Sequence, residues 1–183
     1  MQALALPLPT RLVLVTAPKA ANAQMLALTA RLAHVGAVRV LDGGNSFDAY
    51  AIARTLRSLT PHVETTLAQI NVQRAFTCYQ MLTLLAETPP TPIPTLVLDA
   101  LSTFHDESVP LPERFRLLRA CVQHLQRLSR AGPVVVSTRP PGTLPESARL
   151  LEIVQEKCDL VWQPVSPESP PAPGYLPRFA PRG

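Results

Sequence analysis

Charged side chains stand where three apolar runs give way to breaks: Lys19 after RLVLV (11–15), Asp42 closing VRVLD (38–42) and Asp99 closing TLVLD (95–99). A lysine and a carboxylate at the ends of strands are the groups that neutralise a triphosphate and hold its magnesium ion, so the first chemistry to test is phosphate binding. The stretch RLVLVTAPKAANAQMLALTARLA (11–33) has the strand, short break and apolar-periodic helix of a phosphate-binding loop. Laying G-x-x-x-x-G-K-[ST] over it puts Ala17 and Asn22 on the two glycines, Ala23 on the lysine and Gln24 on the hydroxyl. Glycines let backbone N–H groups curl around phosphate oxygens, the lysine cancels their charge and the hydroxyl holds magnesium. None of the four is kept. Lys19, inside the loop, reaches a phosphate only by a different loop path, and Asn22 is expected to cap the helix that follows, closing its end locally. Asp99 is the ligand for magnesium if the ion binds at all. Asp42, Asn45 and Asp48 surround the Gly43-Gly44 turn, where one of them could act as a base or, as the tight connection favours, only shape the turn.

The elements that must position these groups follow from periodicity. Short runs rich in β-branched residues, apolar on both faces, predict strands of a covered parallel sheet at 11–15, 38–42, 70–74, 95–99, 133–137 and 159–163. Helices are expected between them. Residues 22–35 place Met25, Leu28, Leu32 and Val35 on one face, and 48–59 do the same with Ile52, Leu56 and Leu59. A short apolar helix is expected over 77–86, with Phe76, Cys78 and Met81 in the core. The helix over 112–130 has Phe115, Leu118, Val122 and Leu125 inward, and a last one spans 145–156. Alternating strand and helix predicts an α/β fold, three-layer α/β/α with a mainly parallel sheet. The domain plan is an extension over 1–10, a core over 11–163 and a tail over 164–183. Seven of the 21 prolines lie in QPVSPESPPAPGYLPRFAPRG (163–183), so the tail is expected to form no core; its YLPRFAPRG end is a candidate docking segment.

Composition narrows the function. With 183 residues one domain can bury a core without staples. No run of eighteen apolar residues and no charged-then-apolar leader is present, from which we expect a cytoplasmic protein with no membrane partner. Cys78, Cys121 and Cys158 are widely spaced in apolar surroundings and read as buried reduced thiols. His34, His62, His105 and His124 lack ligand spacing and read as surface or packing residues. The formal charge is +4, and every cation except Lys19 and Lys157 is arginine, a side chain suited to phosphate forks.

VRVLDGGNSFDAYAIARTLR (38–57), INVQRAFTCYQMLTLL (70–85), TLVLDALSTF (95–104) and VVVSTRPP (134–141) follow one another in an order and spacing that resembles the core of the RecA/RadA-type recombinase ATPases and their KaiC-like relatives. The resemblance covers 11–163 and implies a RecA-like P-loop NTPase fold with a degenerate first loop. It implies that TLVLD is a Walker-B-type strand. The glutamate that polarises water in that family falls on Gly44, and Arg74 and Gln80 belong to an element beside the nucleotide end. The sensor and DNA-contacting region becomes Thr138, Arg139 and a short proline-rich turn. Arg139 is a candidate for a phosphate or neighbouring-subunit contact, and Arg116, Arg119, Arg127 and Arg130 form a helical stripe opposite the apolar face, a second candidate surface for nucleic acid or a partner. The family polymerises through F-x-x-A, which none of the five phenylalanines begins.

The expectation is a RecA-like pseudo-ATPase that assembles with or regulates an intact RecA-like ATPase or another protein of DNA recombination and repair, as a homo- or hetero-oligomer, with no cofactor. Its alternatives are a DNA-dependent ATPase that uses ATP and magnesium through Lys19 and Asp99, and an ATP-independent nucleic-acid-binding module.

Overall fold

In a computed structural model of the chain, which describes residues 11–162, six strands form one sheet: β1 (Leu12–Thr16), β2 (Val38–Asp42), β3 (Ile70–Arg74), β4 (Thr95–Leu98), β5 (Val134–Thr138) and β6 (Leu160–Trp162). Their order is β3-β2-β4-β5-β1-β6 and every pairing is parallel. Helices α1 (Asn22–Val35), α2 (Ala49–Leu56) and the short α3 (Val63–Leu67) cover one face. The other is covered by α4 (Cys78–Glu87), α5 (Leu111–Ser129) and α6 (Pro145–Gln155). This is the three-layer α/β/α architecture. The N-terminal extension, the proline-rich tail with its YLPRFAPRG segment, and Gln163 lie outside the described residues.

The valine-rich strands take the middle because a strand covered on both faces favours apolar side chains, and the buried Thr16, Thr95, Ser137 and Thr138 lie at or beside strand ends. β1, β4 and β5 are buried along their whole length, Val13 and Val15 facing α1 while Leu12 and Leu14 face α5 and α6. The two outer strands depart from the expectation of cover on both faces. β3 exposes Asn71, Gln73 and Arg74, and β6 exposes Leu160 and Val161, because each has a neighbour on one side only.

The periodicity places most helices within a residue or two. Asp48 caps α2, its Oδ1 accepting from the amides of Tyr50 at 2.8 Å and Ala51 at 3.2 Å. Thr77 caps α4 by accepting from Gln80 N, while Gln80 Oε1 accepts from Phe76 N. R-A-F-T-C-Y-Q is therefore a helix-starting device, with Cys78 and Met81 buried beneath it. Three apolar residues assigned to the core lie outside it: Val35 is 79% exposed, Phe76 67% and Leu59 39%. Leu59 and Phe76 stand outside the helices, where the 3.6-residue repeat no longer governs direction, and Val35 is the last residue of α1. α3 has no forerunner in the sequence pattern.

Leu41, fully buried in β2, should cost about 2–5 kcal/mol when cut to alanine, whereas Val35→Ala should stay within about 0.5 kcal/mol. Urea denaturation of the two variants checks this contrast.

Candidate functional site

The carboxyl ends of β1, β5, β4 and β2 lie side by side, and every candidate for phosphate chemistry is carried there. The first is the loop between β1 and α1. Lys19, Ala20 and Ala21 adopt φ values of 52°, 53° and 51°, three successive left-handed residues without a glycine. Each costs roughly 1–2 kcal/mol of local energy, which the buried Ala20 and Ala21 must offset by packing. The turn winds the chain on itself: Ala20 N–H donates to Ala17 O at 2.9 Å, and Asn22 N–H donates to Lys19 O. Amides committed to the loop's own carbonyls cannot cradle phosphate oxygens. Ala17 N–H is held by Thr138 O at 3.1 Å.

Asn22 corrects one expectation. It is the first residue of α1, and the capping position belongs to Ala21, which has no side chain to offer. The Asn22 side chain instead reaches across, its Nδ2 donating to Ser46 O at 3.1 Å and tying the first loop to the loop after β2. Ala23, Gln24 and Lys19 point outward and are exposed. Lys19 makes no ion pair among the described residues.

Asp42 is fully buried at the end of β2. Its Oδ1 accepts from Ser46 N at 2.9 Å and its Oδ2 from Phe47 N at 3.0 Å, with Arg74 Nε 3.3 Å away on the outer side. Every oxygen of this carboxylate is thus engaged in shaping the turn, and Arg74 is its counter-ion. The bend brings Gly44 down on Asp99: a Cβ on Gly44 would lie 2.5 Å from Asp99 Cβ and 2.8 Å from its Oδ2. No side chain fits at the position where the resemblance places a catalytic glutamate.

Asp99 ends β4 in a left-handed conformation, φ 45°, its amide donating to Ser137 Oγ at 3.1 Å. Its side chain is 3% exposed, and Arg139 covers it, both Nε and a terminal nitrogen lying 2.8 Å from Oδ2. Topology dictates this meeting. β5 lies between β1 and β4, so the residue following β5 must fall between the first loop and Asp99. Arg139, a candidate for outward contacts, has its guanidinium on its own subunit's carboxylate, although 62% of the side chain remains in solvent.

Two further groups complete the edge and escaped the sequence reading. Arg114 is buried on α5, donating to Phe104 O at 3.3 Å while its Nε has no partner. Its helical phase, in step with Leu118, Cys121 and Leu125, was the available signal. His105 stands near Asp99, Arg114 and Arg139: partial burial holds its pKa below the ordinary value, Asp99 opposes this, and the two arginines reinforce it.

The arginine stripe on α5 is split. Arg127 is half-buried, one terminal nitrogen donating to Leu85 O, Ala86 O and Thr88 O, so it closes the carboxyl end of α4. Arg116 is exposed and bonded twice to Glu113 at 2.7 Å. Arg119 and Arg130 are exposed, and Arg130 lines a cleft of about 350 Å³ with Gln126, Lys157 and Asp159 at the opposite edge of the sheet. Burial pushes the Cys121 and Cys158 thiols up to about 12, which leaves both as unreactive thiols, though Cys158 is only half-buried.

ATP with magnesium does not fit these residues as they stand. The amides of Ala17, Ala20 and Asn22 are bonded to main-chain carbonyls, the lysine position is Ala23, and Asp99, the carboxylate expected to hold magnesium, already carries a cation. No group of three metal-ligating side chains occurs among the described residues, and none of their helices is long and apolar enough to cross a membrane.

Removing Arg139 leaves a buried carboxylate uncompensated, so Arg139→Ala should destabilise the fold by about 1–3 kcal/mol, toward the lower end because the arginine is half in water. A cycle with Asp99→Asn should return a coupling of about 0.5–3 kcal/mol in urea denaturation, and additivity would remove the pair as a structural element. Because the folded-state pKa of His105 is depressed, its contribution is present above the unfolded value near 6.5 and is lost as pH falls through the folded one. Stability should therefore decline below about pH 6.5, less steeply in His105→Gln. No family model and no curated protein matches the chain.

Proposed function

We propose that this chain is a RecA-like pseudo-ATPase, a domain that does not hydrolyse nucleotide and acts as an assembly or regulatory partner, its proposed counterpart an intact ATPase of the same architecture or another protein of DNA recombination and repair in the cytoplasm. The observation that carries the reading is the guanidinium of Arg139 seated on Asp99 Oδ2 beneath Gly44. Phosphoryl transfer depends on cations placed around the phosphates and on a positioned base. Here the cation sits on the carboxylate that would hold magnesium, and the base position has no volume for a side chain. The strand order, with β5 inserted between β1 and β4, is consistent with the RecA-like part of the reading. What remains after the chemistry is removed is a rigid α/β body with arginines exposed at both edges of the sheet.

Calorimetry and thermal denaturation with millimolar Mg-ATP test the proposal. The expected result is no saturable heat and no rise in melting temperature; saturable stabilisation that disappears in Lys19→Ala would overturn it in favour of a deviant ATPase. Gly44→Glu, which restores the missing carboxylate, should cost about 1–3 kcal/mol through overpacking against Asp99 and should yield no ATP hydrolysis.

A further inference from the structure

We propose that the free edge of β3 is a self-association surface at which a second copy of this chain pairs antiparallel about a two-fold axis at Val72, fusing the two sheets. The inference is independent of the nucleotide reading and uses the flank of the sheet rather than its carboxyl edge.

β3 pairs with β2 on one side only, and no described residue pairs with its other side. The hydrogen bonds at its two ends fix which groups are free. Val38 N–H donates to Gln69 O, and Ala75 N–H donates to Asp42 O. In a parallel ladder residues facing the neighbour alternate with residues facing away. The main-chain groups of residues 69, 71, 73 and 75 therefore turn toward β2, and those of Ile70, Val72 and Arg74 turn outward. An axis at Val72 sets Val72 against its own copy and Ile70 against Arg74 of the second chain, so each outward N–H meets an outward C=O. No other two-fold register of this five-residue strand satisfies all three residues.

The side chains agree with that register. Asn71 comes opposite Gln73 of the second copy, twice, on the exposed face beside the cleft of about 280 Å³ that Arg39 and Gln69 also line. Paired amides can exchange hydrogen bonds, and no like charges meet. Ile70 and Val72, half-buried against the α1–α2 layer, would gain cover from the added strand. β3 has neither proline nor lysine to protect its edge, and its one charge, Arg74, is committed to Asp42. β6, the opposite edge, offers only Leu160–Trp162.

The test uses the full chain. Sedimentation equilibrium should show a monomer–dimer equilibrium. Asn71→Lys/Gln73→Lys, which sets like charges face to face at exposed positions, should weaken it at least about tenfold, while Asn71→Lys/Gln73→Glu should preserve or tighten it. The register is read separately with Cys158→Ser chains carrying either Asn71→Cys or Gln73→Cys: oxidation should link the two when mixed and neither alone. A strict monomer at the highest soluble concentration, equal affinity in the two charge variants, or cross-linking of either cysteine chain with itself would overturn the proposal.

Discussion

Two buried carboxylates, Asp42 and Asp99, end neighbouring strands in the middle of the sheet, and an ionised group taken out of water must be paired or hydrogen-bonded at each oxygen it commits. The rest of the carboxyl edge follows from satisfying both in little space. Asp42 is met by two amides, which requires the chain to turn at once after β2. The tight turn needs glycine where it passes over Asp99, because any Cβ there would collide. Asp99, shut off from above, takes its counter-charge from the strand that topology sets beside it. Arg74 and Arg139 thus have matching tasks on opposite sides of one turn.

The first loop shows the same economy with backbone instead of charge. A glycine-rich loop loses more conformational entropy on folding but can open toward a ligand; this one, with Lys19 and two alanines in a left-handed turn, stores local energy and closes on itself. The Asn22 link to Ser46 O fastens it to the turn above Asp99. Loop, turn and ion pair form one connected polar lid over the sheet's end, an arrangement suited to rigidity and ill-suited to the domain closures by which motors couple hydrolysis to movement.

Much of this was legible beforehand. The apolar runs place β2 and β3 to the residue, and the first loop lacks the glycines, the lysine and the hydroxyl at their signature positions, on which the proposed loss of triphosphate chemistry rests. What the sequence could not disclose depended on distance across the fold. Asn22 looked like a cap because asparagine usually is one; three left-handed residues, which no propensity anticipates, moved the helix start and freed its side chain for Ser46. Arg127, expected on the solvent side, closes α4, and Arg114, on which the sequence reading is silent, is buried and donates to Phe104 O. Val35, Leu59 and Phe76 are expected inward as apolar residues but lie outside: Leu59 and Phe76 stand beyond the helical turns that would aim them, and Val35 is the terminal residue of α1. The meeting of Arg139 with Asp99, forty residues apart, required the strand order.

That strand order also has a consequence for how the chain is made. β1, made before the other five described strands, takes its neighbours from β5 and β6, with Leu12 registered against Val134 and Val13 against Leu160. Until β5 and β6 have emerged, a fully buried strand has nothing to pair with, while β2 can already zip to β3 and β4. Vectorial synthesis therefore builds this sheet from one flank toward the other and seats its oldest strand last. Closure is slow because its contacts span nearly the whole domain, and the waiting strand is the segment most in need of chaperone cover.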